Sequence, residues 1–540
     1  MQRGQRWGSA RRVIGFALTV AVLHAGHATA ARGQSEVAPL IRNIVDGGTH
    51  GWLRWAQFPD YQMHALAAYQ AGQFAPLWLD DDGEPTAQAG AAIAALAGAD
   101  ARGLSPADYD AARLRAEATR LADGGAPAAD LAQFDTALTV SLMRFISDSY
   151  VGRINPRAVG FGLDIEPKKL DLPALVRELA VDAQPGRRLA ALDPPFPIYA
   201  SLAAALPRYR ALAARGDLPP MPALPKIRPG DSDPNLPALR AWLVALGDLP
   251  ADHAAPADAA LYDETLATGV AHFQNRHGLE GDAIIGPATL RALQTPMATR
   301  VRQIELAMER LRWLPYDWPQ RFVLVNIPEF RLRGYESGTA LPALQMNVVV
   351  GSAARKHYTP VLHAEMTYLV WRPYWLVPYG IAREEIFPKA NVDAGYLTRQ
   401  NMEVVEGRVR QLPGKNNSLG LVKFIFPNPF HVYLHDTPSK ALFARPRRDF
   451  SHGCIRVADP PALAEFVLRG QQGWDRARIT QAMQRGPDNR RLDLASPVPV
   501  YVFYTTVVID DEGHVDFFDD IYGHDATLER LLAKGYPYPS

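Results

Sequence analysis

The hydrophobic pattern of this chain changes period once, and that change limits the folds open to it. From about residue 36 to 220 the sequence is rich in Ala and Leu. Stretches such as AQAGAAIAALAGADARGL and DLAQFDTALTVSLMRFISDSY place apolar residues three and four apart, the spacing of amphipathic helices. LSPADYD reads as a helix start, with Ser105 as N-cap and Pro106 in the first turn. Beyond about 319 the period falls to two. RFVLVNIPEFRLRGY and ALQMNVVVGS alternate and are β-branched, and AEMTYLVWRPYWLVPY, VKFIFPNPFHVYLHD and VPVYVFYTTVVID continue the series. One layer of secondary structure cannot satisfy both periods, so the chain is expected to be a multidomain α+β protein. A length of 540 residues leaves room for roughly three or four domains.

A proline cluster near 215–227 marks a boundary between helical regions. The unit that follows carries three short helical patterns. Leu239, Trp242, Leu243 and Leu246 share one face, and Leu266, Val270 and Phe273 share another. Gly278 is placed to end the second helix, and Pro287 after Gly286 to open a third with Leu290 and Leu293. With its RPGD, FQNRHGL and GDAIIGPATLRAL segments, the stretch 228–296 resembles the small three-helix peptidoglycan-binding domain. It departs from that family's DGxxGxxT pattern at Ala283, where a glycine is usual.

The strand-rich region is interrupted between about 380 and 420 by turn-rich and partly helical sequence, including IAREEIFPKANVDAGYLTRQN. Long insertions of this kind serve as lids or binding loops. Gly395, Gly414 and Gly420 are candidate pivots. Near the C-terminus, DDEGHVDFFDDIYGHD lacks the ligand spacing of a calcium loop and reads as a hairpin turn followed by a polar tail.

The first 30 residues have the form of an export signal. Arg3, Arg6, Arg11 and Arg12 precede the short apolar run VIGFALTVAVLHA, and Ala28 and Ala30 flank a cleavage position. An uncleaved N-terminal anchor is the alternative. The 57 basic and 57 acidic residues balance, so nothing in the charge points to nucleic acid or an anionic membrane as partner. Export into an oxidising space favours paired cysteines, yet this chain has one. A solitary thiol is either buried and inert or kept for its reactivity.

Its surroundings favour reactivity. Cys454 lies in SHGCIRV, and His435 closes the strand-like FHVYLHD upstream. Imidazole activates a thiol by accepting its proton, and a positive field favours the thiolate. Gly453 permits a bend before the nucleophile that frees amide N–H groups for an oxyanion. Tyr433, two residues before His435, is expected on the same strand face. Asp436 follows His435 directly and is expected on the opposite face, which leaves it outside the site.

The pairing of HD with SHGCIRV resembles the signature of the YkuD-like L,D-transpeptidases, cysteine enzymes that cross-link peptidoglycan. The layout as a whole resembles the large Gram-negative members of YcbB type. That resemblance implies a signal peptide over 1–30, a helical scaffold over 36–220 and a peptidoglycan-binding domain over 228–296. It also implies a mostly β catalytic domain over 319–506 with a capping insertion near 380–420, then a C-terminal hairpin and tail over 507–540. Cys454 would be the nucleophile, His435 the general base, and Gly453 with the Cys454 backbone part of the oxyanion hole, which Tyr433 would complete. Arg456 would orient the loop or a substrate carboxylate. Ser451 and His452 are signature positions, and Trp371, Tyr374 and Trp375 would floor the cleft.

The implied reaction forms 3→3 cross-links through a cysteine thioester and releases terminal D-Ala from a tetrapeptide donor, in the periplasm. Carbapenems are the implied inhibitors. Donor and acceptor stem peptides would be the partners, together with other wall-synthesis proteins, and no cofactor or metal is expected. A same-fold L,D-carboxypeptidase or wall-protein-releasing hydrolase, and a non-catalytic wall-binding scaffold, are the alternatives.

Overall fold

A computed structural model describes residues 36–163, 168–216, 218–221, 223–251, 258–336 and 341–538. The export-like segment lies outside these residues. Among them, no helix is long and apolar enough to cross a membrane. The chain folds into two compact units. One comprises the described residues up to Val151 with Lys169–Asp193 and Lys534–Tyr538; the other comprises Gly152–Lys168 and Pro194–Ala533.

The first unit is helical and is built around Ala128–Tyr150, whose inner face includes Phe134, Leu138, Leu142 and Phe145. The small side chains of Ala87–Ala97 let that helix lie within the same apolar core. Thr86 caps it by accepting the Ala89 N–H. The carboxylate of Asp135 is buried among these helices. It is held by the Tyr69 hydroxyl at 2.6 Å and the Trp78 N–H at 2.7 Å. Ser105 does not cap a helix. Pro106–Tyr109 forms a single 3-10 turn with no side-chain cap, and the following helix begins at Ala111.

The helical domain expected over 36–220 is also divided differently. Pro197–Ala214 belongs to the second unit, where the Tyr199 hydroxyl accepts from Arg312 at 3.0 Å and Arg210 pairs with Glu305 at 2.9 Å. An amphipathic period announces a buried face without naming the surface that covers it.

Within the second unit, helices Leu236–Leu246, Glu264–Asn275 and Pro287–Leu293 enclose Leu239, Leu243, Val270 and Phe273. Gly278 adopts φ +64° just past the second helix. Gln274 is buried and fully engaged. Its carbonyl accepts the Ala283 N–H at 2.8 Å, and its amide donates to the Ile284 carbonyl and the Thr289 hydroxyl at 3.0 and 3.1 Å. That side chain is the clasp of the GDAIIGPAT turn.

The strands are β1 (Arg321–Asn326), β2 (Arg331–Glu336), β3 (Leu344–Gly351), β4 (Leu362–Trp371), β5 (Trp375–Leu376), β6 (Met402–Val405), β7 (Arg408–Gln411), β8 (Val422–Ile425), β9 (Leu434–His435), β10 (Asp449–Ser451), β11 (Ile455–Val457), β12 (Arg490–Phe503), β13 (Val507–Ile509) and β14 (Val515–Phe517). Nine form one sheet in the order β10-β3-β11-β9-β8-β4-β12-β1-β2, and β2 also pairs with β3, so the sheet closes on itself. The insertion is a small subdomain with its own sheet, β5-β7-β6, around Val377, Ala382, Ile386 and Val409. It begins at Trp375, ahead of the expected residue 380, because β5 pairs with β7. The C-terminal segment is more than a hairpin and a polar tail. After the β13–β14 hairpin comes helix His524–Leu532, whose Asp525 pairs with the buried Arg310. Arg276 of the three-helix domain donates to the Val515 carbonyl of that hairpin at 3.1 Å.

Candidate active site

Strand register places the chemistry. His435 on β9 lies opposite Arg456 on β11, and opposite Lys423 on β8. These three side chains therefore share one sheet face. The other face of the same strands carries Phe424, Leu434, Ile455 and Val457, all with essentially no exposure. The Ile455 N–H donates to the Tyr433 carbonyl at 3.0 Å, which sets Cys454 beside Tyr433. By alternation, Cys454 and Tyr433 join the polar face. A core on one side thus forces the thiol, the imidazole and two cations onto the other.

The bend before the thiol is held from within. Gly453 adopts φ +112°, a conformation that disfavours any side chain. The Ser451 hydroxyl accepts the Gly453 N–H at 3.1 Å and donates to the Cys454 carbonyl at 2.5 Å. Thr359 donates to the Gly453 carbonyl at 2.8 Å. Ser451 is buried and acts as the clamp of this turn, so it does not reach substrate as expected. The Gly453 N–H is already satisfied and does not supply the oxyanion hole. The Cys454 N–H has no internal acceptor among the described residues and remains available.

His435 is buried, and its Nδ1 donates to the Asp436 carbonyl at 2.5 Å. That bond places the ring proton on Nδ1 and leaves Nε2 as the proton acceptor. Burial, reinforced by the nearby Arg456 charge, lowers the imidazole to about 3. The thiol is displaced in the other direction. Burial pushes Cys454 up, and the Tyr433 hydrogen bonds with the Arg456 and Lys423 charges offset only part of the shift. The resting pair is therefore neutral thiol and neutral imidazole, where the sequence suggested a thiolate. Asp436 stays outside the site, since its carboxylate accepts from Leu421 N–H at 2.8 Å and pairs with Lys440 at 2.7 Å. Gly420 packs against that carboxylate, which makes it a close-approach position and removes it as a pivot.

The aromatic floor is not formed. Trp371 is fully buried on the face opposite the thiol, registered with Val422 and stacked on Trp474 at 5.5 Å. Tyr374 lies under the Arg410 guanidinium at 4.4 Å, and Trp375 packs into the insertion's own core. His452 points elsewhere too. Its Nε2 meets Glu385 of the insertion at 2.9 Å, and Arg355 holds the same carboxylate at 2.9 Å. This contact ties the nucleophile loop to the cap.

Comparison with known proteins gives this geometry a family. Residues 320–486 match the model described as "L,D-transpeptidase catalytic domain". Residues 232–293 match "Putative peptidoglycan binding domain", and residues 65–206 match "Scaffold domain". Residues 320–486 are an L,D-transpeptidase catalytic domain. A Haemophilus influenzae protein named "Putative L,D-transpeptidase" is 30% identical over 248 residues, covering 42% of this chain and 49% of its own length. The chain thus spans about half the length of that curated relative. A crystal structure of the L,D-transpeptidase from Xylanimonas cellulosilytica aligns with 52% of this chain and 99% of its own at 15% identity, with a TM-score of 0.17 that carries no argument. The protein joins a helical scaffold, a peptidoglycan-binding domain and a mostly β L,D-transpeptidase domain.

Two residues escaped the sequence analysis, one beside the thiol and one against the nucleophile loop of this L,D-transpeptidase domain. Lys423 stands 12 residues before His435, and only the β8–β9 register brings it to the site. Period-two alternation in VKFIF was the available signal, but pairing of that segment with FHVYLHD had to be known first. Glu385 lies inside the insertion, where no periodicity connects it to His452.

Proposed function

We propose that the protein is an L,D-transpeptidase that forms 3→3 peptidoglycan cross-links through a Cys454 thioester. What carries this reading is the position of the thiol, with Tyr433 and His435 on one sheet face, inside a domain of this family. The wall-binding and scaffold domains, which fit the YcbB-type layout, support it.

In the first step, the Cys454 sulfur bonds to the carbonyl carbon of the third residue of a tetrapeptide donor. The thiol proton passes to His435 Nε2, as a neutral pair requires. The Cys454 N–H and the Tyr433 hydroxyl face the developing oxyanion, and Arg456 orients the bound chain. The C–N bond to D-Ala then breaks, and its nitrogen takes the proton from His435. In the second step, the side-chain amine of an acceptor stem bonds to the thioester carbon and gives its proton to His435. The C–S bond breaks and the proton returns to sulfur. The insertion, tied to the nucleophile loop through Glu385, closes over the thioester and favours the amine over water.

The setting is the periplasm, reached through the N-terminal signal. Donor and acceptor stems are the substrates, and further wall-synthesis proteins are the expected partners. Incubation with a disaccharide-tetrapeptide, with products identified by mass spectrometry, tests the assignment. A cross-linked dimer lacking one D-Ala is expected. Trimmed tripeptide alone would make the protein an L,D-carboxypeptidase, and no product from folded, reduced protein would overturn both. A carbapenem, a strained amide, is expected to leave one adduct on the SHGCIR peptide that is absent from Cys454→Ser.

A further inference from the structure

The N–H of Cys454 shares one rigid plane with the Gly453 carbonyl, so whatever grips that oxygen also aims that N–H. Gly453, at φ +112°, cannot hold the plane by itself, because glycine has no Cβ to restrict rotation. A half-turn would put the carbonyl oxygen where the N–H now stands, and an oxyanion would be repelled. Ser451 secures the peptides on either side, through the Gly453 N–H and the Cys454 carbonyl. The plane between them is held from another part of the chain, by the Thr359 hydroxyl on the Gly453 oxygen at 2.8 Å.

The direction of that hydroxyl is fixed. It accepts the Gly351 N–H at 2.9 Å, so its single proton goes to the Gly453 carbonyl. The backbone of Thr359 is held in turn by Tyr522, whose hydroxyl accepts the Thr359 N–H at 3.2 Å and donates to the Gly351 carbonyl at 2.7 Å. One hydroxyl and one phenol therefore lock Thr359 to the end of β3. A Cβ on Gly351 would run into the His357 carbonyl, so glycine is needed for this close approach. Thr359 and Tyr522 are 1% and 8% exposed, too buried to meet a substrate. Tyr522 lies beyond residue 486, where the match to the catalytic domain ends. Its own N–H donates to the Tyr504 hydroxyl at 3.0 Å, and that hydroxyl donates to Asp520 at 2.6 Å.

We propose that Thr359, fixed by Tyr522 of the C-terminal segment, is the positioning residue of the peptide that receives the oxyanion. The bond to the Gly453 oxygen keeps the Cys454 N–H aimed at the site and polarises it across the shared plane. The C-terminal segment thus supports the chemistry without touching substrate. This role rests on the reading of Cys454 as a nucleophile toward acyl carbons.

Two reactions of the single thiol separate positioning from general support of the fold. With p-nitrophenyl acetate, the Cys454 sulfur bonds to the acetyl carbon through an oxyanion, p-nitrophenolate leaves, and the thiol proton passes to His435. Iodoacetamide loses iodide at a saturated carbon and forms no oxyanion. Both rates are followed by intact mass on the full chain, in samples whose thermal unfolding shows folded protein, and their ratio is the readout. Thr359→Val keeps the shape and removes the hydroxyl. It is expected to lower the acetylation-to-alkylation ratio about tenfold, less than the roughly 10²–10³-fold cost of losing an oxyanion donor outright. Thr359→Ser keeps the hydroxyl and is expected to restore most of the ratio. Tyr522→Phe is expected to lower it about threefold, and to add little to Thr359→Val because both act through one peptide. An unchanged ratio in Thr359→Val, or in Tyr522→Phe where the valine variant does not fold, overturns the proposal. A wild-type protein that is alkylated but never acetylated would instead remove the acyl-transfer reading, and this role with it.

Discussion

The turn that Gln274 clasps and the sheet face that carries Cys454 belong to the same unit, and they treat buried polar groups in opposite ways. Gln274 is about as buried as a side chain can be, at 1% exposure, and both ends of its amide are satisfied. At the thiol, by contrast, the Arg456 Nε and the Cys454 N–H have no acceptor among the described residues, and the Lys423 ammonium has only the face of the Tyr433 ring beneath it. Satisfied polar groups build a fold, whereas unsatisfied ones near a nucleophile leave bonds for a ligand to complete. Substitution in the first region should therefore change stability, and in the second, rate.

The sharpest break is Cys454→Ala. It is expected to abolish donor acylation, measured by intact mass, and to leave the thermal midpoint within a degree or so, since a small, partly exposed side chain is lost. Substantial cross-linking by this variant would remove the nucleophile. His435→Ala is expected to keep the fold and to lose about 10²–10⁴-fold in rate, the usual contribution of a general base.

A pH profile separates neutral-pair chemistry from an ion pair. With the thiol raised by burial and the imidazole lowered to about 3, neither group changes charge between pH 5 and 8. Alkylation of Cys454 by iodoacetamide needs the thiolate, so its rate is expected to climb about tenfold per pH unit from 6 to 8.5. No inflection should occur near 6.5, because His435 stays neutral until the pH approaches 3. A plateau at neutral pH would mean a thiolate–imidazolium pair.

What was legible in the sequence was local. SHGCIRV announced a bent loop with a thiol, and GDAIIGPAT announced a turn, because glycine, proline and alternation act within a few residues. Side-chain direction depends on register between strands distant in sequence, and that was not legible. Parity across β4 and β8 sends Trp371 into the core, and parity across β8 and β9 brings Lys423 to the thiol. Hydrogen-bond capacity was hidden as well. Gly453 bends the loop as its type suggests, yet its N–H is consumed by Ser451, a bond that spacing alone does not reveal.

On the satisfied side of the comparison, Gln274→Ala should be felt as stability. It strands the Ala283 N–H and deprives the Ile284 carbonyl and Thr289 of a donor. At ~1–3 kcal/mol for each buried group left unpaired, the loss is expected to be about 2–3 kcal/mol in denaturant unfolding. A well-folded sample should still be alkylated at Cys454 at the wild-type rate. Slower alkylation would show that the three-helix domain helps to build the active site.

The smallest effect is expected at Ala283, the strained point of this turn. Its φ of +57° is the left-handed conformation, at the position where the resemblance leads one to expect glycine. Holding an alanine there costs about 1–2 kcal/mol. Replacement by glycine relieves that strain, and two terms offset it. The unfolded chain gains freedom worth about 0.4–1 kcal/mol, and a methyl that is only 8% exposed loses part of a contribution of about 0.8 kcal/mol. Ala283→Gly is therefore expected to stabilise the three-helix domain by no more than about 1 kcal/mol, with no change in D-Ala release. Ala283→Val supplies the opposing measurement, because a β-branched residue is a genuine outlier at this φ and should destabilise clearly. If glycine destabilised the domain and valine were tolerated, packing of the methyl would outweigh backbone strain. The turn would then be held by its side chains as tightly at Ala283 as at Gln274.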